Sequence, residues 1–261
     1  MLEELAAFYD SHGISSIGFR CSSRAACSAK APQFTEAKAS FVGPRYEEGT
    51  LPRLLFLSLD SGRGSPDPRQ RTIEAVRRRA LDCDVAALPK NRHWYRTHEM
   101  ACELLRQFEP QLSVRDARLY FAHVNSAKCC QNKRGRKRAD STLFENCRRF
   151  IPGELRILKP DIVVTQGRPA KDAILKNYDV QRHVKRTEKS DRYRRDAYYE
   201  TGLIELEPDG KKFLWLHTFH PSNFGLFYPQ KVYCWPLYAE KVGQHWCGSR
   251  KSGHASQKRK P

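Results

Sequence analysis

Four short apolar runs, each closing on polar residues, constrain the fold of this 261-residue chain more than any other feature. They lie near 54–60 (LLFLSLD), 118–124, 161–165 and 213–218. The first is nearly continuous in Leu and Phe rather than alternating, the pattern of a strand buried on both faces, and the others are of strand length. Between them the spacing predicts helices over 69–81, 95–108, 141–158 (with a break near Pro152 and Gly153) and from Pro169 onward. Alternating strands and helices predict an α/β protein: a three-layer α/β/α sandwich around a mostly parallel four-stranded sheet. Sheets of this kind carry their sites outside the carboxyl ends of the strands. Asp60, Asn125, Gln166 and His220 all fall at or just beyond such an end.

The flanking segments are less regular. Residues 1–12 read as an amphipathic helix ended by Gly13, whereas 14–50 have little periodicity and must be held to the domain by something else. Residues 181–200 are polar and basic and read as a mobile or substrate-facing insertion. Asp209-Gly210 between two apolar runs signals a hairpin, and a last helix is expected near 230–245. Residues 1–248 are expected to form one domain, followed by a basic, disordered tail over 249–261.

A formal net charge of +18 points to a polyanionic partner, nucleic acid first. No stretch approaches the roughly eighteen apolar residues of a membrane-spanning helix, and the acidic N-terminus lacks the features of a signal peptide. A monomer in a reducing cytoplasm is expected, in a bacterial or phage-infected cell, with the nine cysteines largely free of disulfides.

Asp60 closes an apolar strand and opens a glycine-rich turn. A carboxylate there can orient water or stabilise a developing cation, or simply cap the loop. Asn125 offers an amide donor and a carbonyl acceptor for a base edge, or pins a turn. His220, stiffened by Pro221, can donate to a developing oxyanion; His217 fits a structural role better. Cys21, Cys27, Cys129 and Cys147 suggest a four-thiolate site, with iron–sulphur and structural zinc both open by chemistry. The segment 133–138, KRGRKR, is basic at five positions of six: Lys133, Arg134, Arg136, Lys137 and Arg138. In so cationic a chain it reads as a phosphate-contacting loop, and Arg69, Arg71 and Arg77 to Arg79 are candidates to extend it. Tyr198, Tyr199, Phe224 and Phe227 are candidates to stack on bases or belong to the core.

In order and spacing these residues resemble the uracil-DNA glycosylase superfamily, especially its iron–sulphur-containing branch. LFLSLDSG at 55–62 is similar to the first motif (GQDPY or G-x-N-P-G in different members), NSAKC at 125–129 to N-V-V-K-C, and HPS at 220–222 to the HPS motif. LKPDIVVTQGRPAKDAI at 158–174 is similar to the segment that follows the fourth cluster ligand. The resemblance implies a monofunctional DNA glycosylase that leaves an abasic site. In it Asp60 positions water, Asn125 reads the base and His220 stabilises the leaving base. Ser222 and Asn223 enter the minor groove, and a 4Fe-4S cluster sits on Cys21, Cys27, Cys129 and Cys147. The chain departs from the family at Ser58, Leu59 and Ser61, in the five residues between Cys21 and Cys27, and in lacking the G-R-P-F aromatic after Gly64. A reshaped pocket taking a modified cytosine of phage DNA, in antiviral defence, is one alternative. A non-catalytic nucleic-acid-binding module and a zinc-dependent nuclease are the others.

Overall fold

The computed structural model describes residues 1–30, 34–61, 65–131, 139–208 and 210–257, with side chains described through 247. Nine strands and eight α-helices are assigned among them. The strands are β1 (Phe34–Thr35), β2 (Phe41–Val42), β3 (Leu54–Asp60), β4 (Phe121–Ala127), β5 (Cys130–Gln131), β6 (Ile162–Gln166), β7 (Gln181–Glu188), β8 (Ala197–Leu206) and β9 (Lys211–Thr218). The helices are α1 (Leu2–Ser11), α2 (Arg24–Ser28), α3 (Ile73–Asp82), α4 (His93–Leu105), α5 (Ser141–Cys147), α6 (Ile151–Leu158), α7 (Arg168–Leu175) and α8 (Phe224–Gln257).

The four apolar runs form the centre of one sheet, in the order β4-β3-β6-β9, and every pairing among them is parallel. The expectation of a four-stranded sheet is nevertheless incomplete. The sheet has seven strands in the order β2-β4-β3-β6-β9-β8-β7, with antiparallel additions on both edges. The residues read as an insertion at 181–200 supply β7 and the start of β8. The hairpin expected at Asp209-Gly210 joins β8 to β9, with Gly210 at φ +64°.

Alternation along β3 shows why helices cover both faces. Leu55, Leu57 and Leu59 point into a core shared with α1, α5, α6 and α7, while Leu54 and Phe56 point into a second core with α3, α4 and α8. Completely buried side chains on both sides of the central strands make each face apolar, so each needs a helical layer.

The irregular N-terminal segment is tied down by backbone pairing. β2 joins the sheet edge against β4, β1 pairs with β5 through Thr35 and Cys130, and the Lys38 N–H donates to the Lys128 carbonyl at 3.0 Å. Arg71, expected on a basic surface, is instead 2% exposed. Its guanidinium clamps this segment to the loop after β3 through the Ala37 carbonyl at 3.2 Å and the Ser61 hydroxyl at 3.1 Å. The helix expected over 141–158 breaks at 148–150 into α5 and α6, with Asp140 capping α5 by accepting from the Thr142 N–H. The last helix is longer than the 230–245 expected, and it contains Pro229 and Pro236. No helix among the described residues is long and apolar enough to cross a membrane.

Candidate active site

β3, β4 and the segment after β9 run side by side in the same direction, so their carboxyl ends converge. Asp60 ends β3. Asn125 lies inside β4, not beyond it as expected, because the polar stretch Asn125–Ala127 continues the ladder against β3, with Ser58 opposite Asn125 and Asp60 opposite Ala127. His220 follows β9 by two residues. Asp60, Asn125 and His220 all line one cavity of about 430 Å³. Within the protein the Asn125 side chain makes no hydrogen bond to a described residue, so its amide is available to a ligand. The Cys130 thiol hydrogen-bonds the Asp60 carboxylate, and burial together with that carboxylate pushes the thiol up to about 12.

The tautomer of His220 follows from its neighbours. The Ser222 N–H can only donate, and it donates to His220 Nδ1 at 3.2 Å, with the Ser222 hydroxyl at 2.6 Å from the same atom. Nδ1 is therefore an acceptor, and the neutral ring carries its proton on Nε2. Burial, reinforced by His93, depresses the His220 pKa to about 3, so the ring is neutral across the physiological range. Gly167, at φ +94°, supports this loop from below. A Cβ there would stand 3.2 Å from the His220 Cβ and 3.1 Å from Leu59 Cδ2.

Several lining groups lie outside the motifs singled out in the sequence. His93 stacks on His220 with ring centroids 4.6 Å apart and planes within 8°. Its Nε2–H donates to Gln166 Oε1 at 2.9 Å, and Gln166 also accepts from Ser58 Oγ at 2.5 Å. Gln166 ends β6 as expected, and its buried side chain is a bracket for His93. Phe41, Trp94 and His123 complete an aromatic wall. Burial lowers His93 to about 4 and holds His123 well below the ordinary imidazole range, so this wall is uncharged at neutral pH. Lys38 lines the opposite side; burial, with help from Arg71 and Arg79, lowers it to about 8. Of the aromatics singled out beforehand, Tyr199 and Phe227 are core residues and Tyr198 packs beside Phe219. Phe224 is the exposed one of the four, at 48%, and its ring stacks on Tyr228 with centroids 6.1 Å apart.

Under the site, Lys128 and Glu154 form a buried ion pair at 2.5 Å. Lys128 Nζ also donates to the Asn125 carbonyl at 2.6 Å, while Glu154 accepts from Tyr9 at 2.6 Å and Ser40 at 3.1 Å. The network fixes the Asn125 backbone to α6 and α1.

Ser222 and Asn223 line the neighbouring groove of about 920 Å³, together with Arg148, Gly167 and Arg168. Lys133, Arg134, Arg136, Lys137 and Arg138 lie outside the described residues, as do Gly62 and Gly64.

The expected 4Fe-4S cluster, and the zinc alternative, are not supported. Cys21, Cys27, Cys129 and Cys147 border one cavity, of only about 10 Å³. Among the described residues, no three His, Cys, Asp or Glu side chains are arranged to hold a metal ion. The thiols take part in ordinary packing instead. Cys147 accepts from the Lys128 N–H at 3.3 Å and Cys27 from Asn146 at 3.2 Å. The β1–β5 and β2–β4 pairings hold the irregular segment 14–50 to the domain. No step below is routed through a metal or cluster.

With this geometry in place, the family is defined. Residues 86–236, more than half of the chain, match the Uracil DNA glycosylase superfamily, and the protein belongs to that superfamily. The match includes Asn125 and His220 and begins after Asp60. No curated protein matches the chain.

Proposed function

We propose that the protein is a monofunctional DNA glycosylase, hydrolysing the N-glycosidic bond of a nucleotide flipped into the 430 Å³ cavity and leaving an abasic site. The observation that carries this reading is the convergence on that one cavity of Asp60 from the end of β3, Asn125 from within β4 and His220 from the loop after β9. Asp60 orients the attacking water and balances positive charge building on the sugar. Asn125 reads the base edge with an amide that has no competing partner. His220, neutral with its proton on Nε2, donates to the oxygen on which the leaving base gathers negative charge. The aromatic wall of Phe41, His93 and Trp94 takes the stacking role for which the sequence offers no aromatic after Gly64.

A second reading concerns which base is removed. The cavity falls in the range of about 300–1,000 Å³ that accommodates drug-sized ligands, more room than a bare pyrimidine fills. Lys38 and Arg79 on its wall offer donors to an oxygen-rich substituent. These features favour a modified cytosine, for example a glucosylated one in phage DNA, over uracil. DNAs carrying uracil, xanthine, hypoxanthine or modified cytosines are to be incubated with the protein and released bases identified by mass. Release of a modified cytosine supports both statements, and release of uracil alone removes the second. If no base is freed from any substrate, the glycosylase reading fails and a non-catalytic binding protein takes its place.

A further inference from the structure

β7 runs antiparallel to β8, and β8 antiparallel to β9, so β7 points the same way as the four central strands. The turn joining β7 to β8, residues 189–196 (KSDRYRRD), therefore lies at the carboxyl end of the sheet, on the same side as the cavity. Lys189, Arg192, Arg194 and Arg195 are all exposed there, and among the described residues none forms an ion pair with a carboxylate. The loop's own acids are engaged elsewhere. Asp191 accepts from the Tyr233 hydroxyl, and Asp196 accepts from the Ser190 N–H at 3.0 Å.

The turn is also anchored. The Arg192 N–H donates to Tyr233 Oη at 3.3 Å, Tyr193 meets the Tyr233 ring edge-on at 6.5 Å, and the Arg192 guanidinium sits 5.7 Å from the Tyr193 ring centre. Tyr233 belongs to α8, whose first residue is the exposed Phe224 beside His220-Pro221-Ser222. Nine residues of helix span about 13 Å, close to four base pairs at ~3.4 Å each. A cationic turn held at that distance from the loop beside the cavity has the chemistry and spacing for a duplex flanking a flipped nucleotide.

We infer that the 189–196 turn is a phosphate-binding element that grips the DNA backbone a few base pairs from the excision site. It rests on the DNA-directed reading above, but binding can be tested without any excision. Kd is measured by fluorescence anisotropy on an unmodified duplex and on one with a preformed abasic site, from 50 to 300 mM salt. R192Q/R194Q/R195Q is compared with wild type and with R156Q/K159N/K212Q, which removes the same charge from the opposite end of the sheet. The turn variant is expected to weaken binding about tenfold or more at low salt. Its log K against log salt slope should be shallower by roughly 0.9 per lost contact, while the control stays within about twofold. Equal weakening in both triple variants, or an unchanged slope in the turn variant, overturns the inference. If the turn variant behaves as expected but no base is released from any substrate, the excision reading fails and the binding element stands.

Discussion

At the residue scale, the site relies on imidazoles that stay neutral because they are buried. His220 is depressed to about 3, His93 and His98 to about 4, and His217 to about 3. In each case the unfolded chain takes up a proton near pH 6.5 that the folded chain refuses. Stability is therefore full above the unfolded value and falls as pH drops from about 6.5 toward 3. Urea midpoints across that range should decline steeply, with the decline shallower in His217→Asn; a flat profile down to pH 4 would refute this. For chemistry, His220→Ala should lower the single-turnover rate about 10²–10³-fold, the scale for loss of one oxyanion donor, with Kd for DNA little changed. Lys38 loses its charge as pH rises through about 8. If it donates to the base, affinity for the substrate base should weaken above that pH, and Lys38→Met should abolish the inflection. Asp60, Asn125 and His220 were legible because each ends or closes an apolar run. Phe41, His93, Trp94, His123 and Lys38 were not, because they come from the edge strand β2, the start of α4, the middle of β4 and the irregular segment before β2, which meet only in three dimensions. The density of rings in HWYRTH at 93–98 was the one available hint.

At the element scale, the four parallel strands were legible because burial on both faces leaves an unbroken apolar signature. β7 was hidden because it is an exposed edge strand carrying charged side chains, which is how sheet edges avoid pairing with other chains. β4 was placed three residues too early because its last residues are largely polar: His123 and Asn125 line the cavity and the Ser126 hydroxyl donates to the Ser58 and Leu59 carbonyls, while the ladder to β3 continues. The Lys128–Glu154 pair joins three elements, α1, α6 and β4. Removing one partner leaves a buried charge uncompensated, at a cost of about 3–5 kcal/mol. Glu154→Leu should thus be strongly destabilised in chemical denaturation, and adding Lys128→Met should recover much of the loss; no recovery would mean that the hydrogen bonds to Tyr9 and Ser40 dominate. Gly167 is a sharper constraint on the site. Gly167→Ala combines a left-handed backbone with a Cβ pressed against His220, so it should slow excision more than it weakens DNA binding.

For the whole molecule, a charge of +18 sits on a frame whose catalytic candidates, exposed Phe224 and basic turn share one end, the end at which the proposed DNA contact falls. Neutralising Lys133 to Arg138 should weaken DNA binding and flatten its salt dependence, leaving the single-turnover rate at saturating protein close to that of wild type. The four-cysteine reading shows the limit of spacing arguments. The order of the cysteines along the chain resembles a cluster-binding pattern, but ligation depends on how thiols are aimed, and here they are taken up in packing and hydrogen bonds. The central claim is that Asp60 hydrolyses, through an oriented water, the bond of a base held by Asn125 and His220. Its most direct test is single-turnover release of free base by wild-type protein and by Asp60→Asn, with binding of the same DNA measured in parallel. Base release by wild type, a fall of at least about a hundredfold in the variant and matched Kd values are expected. Equal release rates in the two proteins, or loss of binding in proportion to loss of activity, would contradict it.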